Sequence, residues 1–174
     1  MAQRGIRLFG DPVLRTRSTE VDPADPATGA LVDDLFDTLH RARGIGLAAN
    51  QIGETRRVFV VDLSQMQPGG PRLAVINPEV VRTGEPVSGE EGCLSFPGLY
   101  LQVNRAEEAV LQYQMLDGRT EEIEASGLFA RVLLHEFDHL NGVLYVDGLS
   151  AVRRMRVAAR LKQITRRQKK GETA

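Results

Sequence analysis

The chain has 174 residues and one cysteine, Cys93. An internal disulfide is therefore excluded, and a lone thiol fits a reducing compartment. No apolar run approaches the roughly 18 residues that cross a bilayer. The opening stretch, MAQRGIRLFGDP, lacks the apolar segment of a secretory signal. These absences lead us to expect a cytoplasmic protein with no membrane partner. Internal repeats and long linkers are also missing. Histidine is scarce: His40, His135 and His139 are the only three. The remainder is ordinary for a soluble globular protein, with 42% hydrophobic and 26% charged residues. The length suits one substantial core.

The net charge of −1 conceals a division. Residues 151–174 hold nine Lys or Arg and one acid, Glu172, whereas residues 1–150 hold 13 basic and 22 acidic residues. We therefore expect a single domain over 1–150, followed by a basic C-terminal helix and tail over 151–174. A basic segment on an acidic body points to a polyanionic partner for that segment alone.

The stretch DPADPATGALVDDLFDTLHRARG predicts a helix capped by Asp25, with Pro26 at its first position and Gly44 at its end. Leu31, Leu35 and Leu39 form its apolar stripe. His40 near its end has a sufficient role in capping. GIGLAANQIG reads as a Gly-rich loop. RRVFVVDL, LAVINPEVV, LQVN, EEAVLQYQML and RTEEIEA read as strands, the last two joined at Asp117-Gly118. EPVSGEEGCLSFPG reads as turn-rich. GLFARVLLHEFDHLNG predicts a second helix, with Leu133, Phe137 and Leu140 buried and Gly142 at its end. VLYVD reads as a short strand, and AVRRMRVAARLKQITRRQKK as a last helix. Strands and helices are segregated, so the expected class is α+β with mostly antiparallel strands packed around the central helix.

That central helix carries His135, Glu136 and His139 in the spacing H-E-x-x-H. Residues i and i+4 share a helix face, so two imidazoles can grip one metal with Glu136 beside it as a base. A catalytic site of this kind has three protein ligands and one open position. No histidine follows His139, and the only later acids are Asp147 and Glu172, the second in a tail expected to fray. The remaining candidate is Cys93. It sits among glycines and a proline rather than in an apolar strand, where a small buried cysteine would be unremarkable. A thiolate binds iron or zinc well, suits soft or redox-active metals, and is open to oxidation.

Three segments, GIGLAANQ at 44–51, EGCLSFPG at 91–98 and HEFDHLNG at 135–142, resemble in order and spacing the signature motifs of peptide deformylases. The likeness runs from DPVLR near residue 11 to VLYVD at 147. It implies a metallohydrolase that removes the formyl group from the N-terminal formyl-methionine of nascent polypeptides and releases formate. It also implies Fe²⁺ as cofactor, with Zn²⁺, Ni²⁺ or Co²⁺ as substitutes. By the resemblance, Cys93, His135 and His139 bind the metal and Glu136 is the general acid and base. Gln51 and the Leu94 N–H form the oxyanion hole. Ile45, Gly46 and Gly92 pair with the extended substrate, and Leu128, Arg131 (through its alkyl stem) and Val132 line the methionine pocket. The glycines at 44 and 46 are expected to let the peptide approach closely.

Leu134, Asn50 and Tyr100 stand where this family often has Gln, Thr and Arg, and they bear on substrate preference and tuning. Glu91, Arg105 and Asp138 are candidates for the groups around the ligand histidines, whose outer N–H needs an acceptor, and Arg105 and Asp138 read equally well as surface charge. The rival readings are an H-E-x-x-H endopeptidase, a ribosome-binding protein without activity, and a purely structural metal site. Cys93 as third ligand argues against the first, the filled chemical positions against the second, and the lack of a fourth ligand against the third. In the last helix Arg153, Arg156, Arg160 and Arg167 fall on one side, with Val157, Leu161 and Ile164 adjacent. The arginines read as a phosphate-binding stripe. The resemblance implies that such a helix docks on ribosomal RNA near the exit of the peptide tunnel. No DNA partner is expected.

Overall fold

A computed structural model describes residues 4–64 and 66–174 of the chain. The first three residues of the opening stretch, where no secretory signal is expected, lie outside the described residues. The elements in chain order are α1 (Pro26–Ala42), β1 (Gly46–Ala48), β2 (Val58–Asp62), β3 (Arg72–Thr83), β4 (Pro86–Gly92), β5 (Tyr100–Ala106), β6 (Glu108–Gln114), β7 (Thr120–Ser126), α2 (Gly127–Leu140) and α3 (Ala151–Lys169). A five-stranded antiparallel sheet has the order β1-β2-β3-β6-β7, and β4 and β5 form a separate antiparallel pair. The class is α+β, as the segregated pattern predicts.

Strand β2 explains the layering. Its sequence VFVVD is buried at every position. Phe59 and Val61 pack with Leu111, Leu133 and Leu140 on the α2 side, whereas Val58 and Val60 pack with Leu31, Leu35, Leu39 and Leu47 on the α1 side. A short β-branched run with both faces covered makes a central strand. The expected α1 stripe is therefore the wall of one core, and Asp25 caps that helix by accepting from the Ala27 N–H. A third cluster of Leu8, Leu14, Phe96, Leu99, Tyr145 and Ile164 closes the end of the molecule that carries Cys93.

Four expectations are corrected. α1 ends at Ala42, and its cap is Arg43 in the left-handed region (φ 54°), not Gly44. The GIGLAANQIG segment is not all loop: it holds β1 and a 3-10 turn at Ala49–Ile52. PVSGEEG is strand β4 despite its turn-prone residues. Its register with β5 runs from Pro86↔Ala106 to Gly92↔Tyr100, and pairing overrides weak local propensity. VLYVD is a turn, held by Asp147, which accepts from the Leu144 N–H and pairs with Arg15. Leu144, Tyr145 and Val146 are buried in the third cluster without a strand partner, and Val143 is exposed.

α3 docks as its apolar edge predicts, with Ile164 1% exposed and Val157 and Leu161 beside it. The arginine stripe flanks this seam, and three of its four side chains are engaged within the chain. Arg160 donates to the Pro97 carbonyl (2.6 Å), Arg153 reaches the Gln102 carbonyl (3.3 Å), and Arg167 pairs with Glu172 (2.8 Å). Among the described residues Arg156 alone of the four makes no such contact. Lys162, Arg166, Lys169 and Lys170 are exposed instead. No described helix is long and apolar enough to cross a membrane.

Candidate metal centre

α2 packs between the large sheet and the β4–β5 pair, touching β1, β2, β5, β6 and β7. Its spacing of four residues puts the His135 and His139 rings 5.0 Å apart, and both residues are buried. Cys93 arrives on the loop that leaves β4. Its Sγ lies 3.2 Å from His139 Nε2, and one donor atom from each of Cys93, His135 and His139 falls within 4.8 Å of the others. One sulfur and two imidazole nitrogens this close fit a single divalent ion at bond lengths of about 2.0–2.3 Å. Burial, and then the charges of His135 and Arg105, hold His139 well below the ordinary imidazole range. Its ring is neutral near pH 7, so a nitrogen lone pair is free for a metal. Burial also opposes a proton on His135, but hydrogen bonds to Cys93 and Glu91 outweigh it and raise that pKa. An anionic pocket that draws a proton onto a buried imidazole is one that welcomes a cation.

Of Glu91, Arg105 and Asp138, Glu91 meets a ligand histidine directly, and Arg105 joins Glu91 to Asp138. His135 Nδ1 lies 3.0 Å from Glu91 Oε2, which leaves Nε2 for the metal. Arg105 makes two bonds to Glu91 (2.6 and 3.0 Å) and one to Asp138 (2.8 Å). Arg131 adds a third contact to Glu91 (2.9 Å) and donates to the Val87 and Val103 carbonyls. Arg131 does line the cavity, but its guanidinium is spent tying α2 to the β4–β5 pair.

Burial alone would raise the Glu91 carboxyl. The hydrogen bonds and charges of His135 and Arg105 prevail and hold it at about 2. A folded pKa below the unfolded one stabilises the fold above the unfolded value, and that stability is lost as pH falls from about 4.5 through about 2. The full contribution at neutral pH is about 3 kcal/mol. Urea unfolding of metal-free protein at pH 7 and at pH 3 will show a larger loss for the parent than for Glu91→Gln. Equal losses would remove Glu91 from this role.

Glu136 is 4% exposed, and its Oε2 has no hydrogen-bond partner among the described residues. Burial pushes its carboxyl up to about 7, against the opposing charges of His135 and Arg105. Gln51, on the turn after β1, is fixed at both ends of its amide. Oε1 accepts from the Ala48 N–H (2.9 Å), and Nε2 donates to Ser95 Oγ (3.1 Å) and lies 3.5 Å from Cys93 Sγ. The Leu94 N–H has no acceptor among the described residues. Sequence reasoning missed Ser95, which is fully buried; its place two residues after Cys93 was the available signal. It also missed the pairing of His40 Nε2 with buried Asp62 (2.8 Å).

A cavity of about 480 Å³ opens onto Cys93, Leu94, His135 and Glu136, whereas Gln51 and His139 are not among the residues that line it. Ile45, Gly46, Gly92, Leu128, Arg131 and Val132 all line it, with exposed Tyr100 at the wall. The glycines have a reason other than the expected one. A Cβ at Gly46 would lie 2.5 Å from Glu136 Oε1, and one at Gly44 would lie 2.7 Å from a Leu94 methyl. Their missing side chains make room for the protein's own groups.

Residues 3–155 match the family model described as polypeptide deformylase. The chain is 48% identical over 155 residues to peptide deformylase 1 of Corynebacterium glutamicum, covering 88% of this chain and 91% of that one. It is 43% identical over 164 residues to peptide deformylase of Hahella chejuensis, covering 94% and 96%. Among solved structures, a peptide deformylase from Legionella pneumophila superposes with a TM-score of 0.87 at 40% identity, covering 96% of this chain and 98% of that one.

Proposed function

Because the chain belongs to the polypeptide deformylase family, we propose that Cys93, His135 and His139 hold its metal and that Glu136, Gln51 and Leu94 carry its chemistry. The protein is a metal-dependent hydrolase that removes the N-terminal formyl group of nascent chains. The observation that supports the assignment is the Cys-His-His grouping, both histidines buried and Cys93 partly so, with the unpartnered Glu136 carboxylate beside it and Cys93, His135 and Glu136 on one cavity. A divalent ion held there supplies Lewis acidity. The thiolate in the set favours a soft or redox-active ion, so we assign Fe²⁺, with Zn²⁺, Ni²⁺ or Co²⁺ as substitutes.

Glu136 takes a proton from the water that attacks the formyl carbon and returns one to the departing amine, so that formate and a free amino terminus result. Gln51 Nε2 and the Leu94 N–H donate to the formyl oxygen as it gains negative charge. Ser95 and Ala48 hold the Gln51 amide in one orientation, so that donor is set before the substrate arrives. β1 is an edge strand and β4 pairs only with β5 among the described residues, so the open side of each can take an extended peptide at Ile45–Gly46 and Gly92, although the Ile45 carbonyl itself accepts from the Asp62 N–H (3.0 Å). The methionine side chain lies against Leu128, Val132 and the Arg131 stem. We place the enzyme in the cytoplasm with its nascent-chain substrates. The test is formate release from a formyl-Met peptide by anaerobically prepared, Fe²⁺- or Ni²⁺-loaded protein; a loaded enzyme that releases none would overturn the reading.

We also propose that α3 docks the enzyme on ribosomal RNA. The support is a body of opposite charge and an outward row of Lys162, Arg166, Lys169 and Lys170, joined at its near end by exposed Arg153 and Arg156. Replacing Lys162, Arg166 and Lys169 by Glu will weaken ribosome binding and flatten its salt dependence, as loss of phosphate contacts requires. Arg160→Ala and Arg167→Ala will matter less, because these side chains are engaged within the chain. Unchanged affinity in the triple variant would refute RNA docking by this face.

A further inference from the structure

The two histidine ligands are supported unequally. His135 has its outer nitrogen on Glu91. His139 Nδ1 is buried and has no hydrogen-bond partner among the described residues. When Nε2 is committed to an ion, Nδ1 must carry the ring proton, and a buried N–H without an acceptor is destabilising.

Asn50 is the residue placed to answer this. It is fully buried on the Ala49–Ile52 turn, and its Nδ2 donates to the His139 backbone carbonyl. That carbonyl lies in the last turn of α2, where it also accepts from the Gly142 N–H (3.0 Å). Asn50 Oδ1 is itself buried without a partner. Of the buried side-chain oxygens in that condition, it is the one on a residue already bonded to His139. The other unpartnered oxygen near the centre, Glu136 Oε2, belongs to the proton-transfer group.

We propose that Asn50 is the positioning residue for the ligand His139. Its Nδ2 pins the ligand's own backbone, and its Oδ1 is the acceptor for the ring Nδ1–H when Nε2 binds metal. A neutral amide suits this place. The centre already holds the Cys93 sulfur and the Glu91 carboxylate, and a third anionic acceptor would add repulsion among buried charges. The same turn carries Gln51, so Asn50 also registers the oxyanion donor against the metal ligand. This inference rests on the three-ligand reading of the centre.

The test is metal affinity rather than turnover. Full-length parent, Asn50→Ala and Asn50→Thr are titrated with Co²⁺ and Ni²⁺ in competition with a chelator, and the Co²⁺ absorption bands are recorded. Threonine restores a short group that both donates and accepts. We expect Asn50→Ala to bind about 10–100-fold more weakly, as is typical when the partner of a ligand histidine is lost. Its Co²⁺ bands will shift, and Asn50→Thr will recover most of the affinity. An Asn50→Ala protein that binds like the parent overturns the proposal. So does an Asn50→Thr protein as weak as the alanine variant, because the loss would then be one of packing. A parent that takes up no metal, or a Cys93→Ala control that binds as tightly as the parent, would defeat the ligand assignment itself, a distinguishable failure.

Discussion

Replacing Glu136 by Gln will lower formate release by about 10²–10⁴-fold, the range for a positioned general acid and base, while metal content stays at the parent level. Gln has nearly the same shape, so the fit against Gly46 and Val132 survives. What it loses is the ability to take a proton and give it back. The carboxyl is held near 7 by burial, close to where a group does both efficiently. Among the described residues the neighbouring carboxylate cannot stand in for it: Glu91 is locked to Arg105, Arg131 and His135 at a pKa of about 2. The loss will fall on kcat more than on KM, since the proton moves only as the barrier is crossed. Formate release within tenfold of the parent would remove Glu136 from this role.

The second large effect is at Cys93. Cys93→Ser will bring formate release to background and leave the isolated protein depleted of metal, because a serine hydroxyl is not ionised near neutral pH and two imidazoles do not hold the ion. The consequence extends past one missing bond. Cys93 is a main reason that the His135 pKa is raised, and its Sγ faces His139 Nε2 as well. Cys93→Asp restores an anionic ligand in a His-His-carboxylate set known to hold zinc, so we expect it to recover metal content but only part of the rate. Metal analysis of the purified variants decides the point: a Cys93→Ser protein with full metal content would mean that the third ligand lies elsewhere.

The H-E-x-x-H helix was legible because its spacing is itself geometry: four residues along a helix bring two rings to one face. Cys93 was legible by elimination, since no other donor of the right kind follows His139. The α2 and β2 cores followed from periodicity and β-branching. β4 was not legible, because GEEG reads locally as turn, and it becomes strand only through partners on β5 and through charges meeting Glu91. VLYVD erred in the other direction, since Leu144, Tyr145 and Val146 are consumed by the third cluster instead of by a sheet. The arginine stripe shows a further limit. Helical spacing places residues on one side but does not say whether that side faces solvent or a row of backbone carbonyls. The role of Gly46 depended on Glu136, which lies 90 residues later in the chain.

The third cluster has a bearing on how the protein is made. Leu8 and Asp11 are fastened by Gln168, through the Leu8 N–H to its Oε1 and from its Nε2 to Asp11, across sequence separations of 160 and 157 residues. Phe96 and Leu99, on the loop that presents Cys93, share that cluster with Ile164. Contacts of such long range form late, after the loop-closure entropy has been met. As the chain is synthesised from its amino end, the first strands and α1 can collapse early, whereas the thiolate loop has no lid until α3 has been translated. The loop that presents Cys93 is therefore expected to be fixed in place only once α3 has docked on the third cluster.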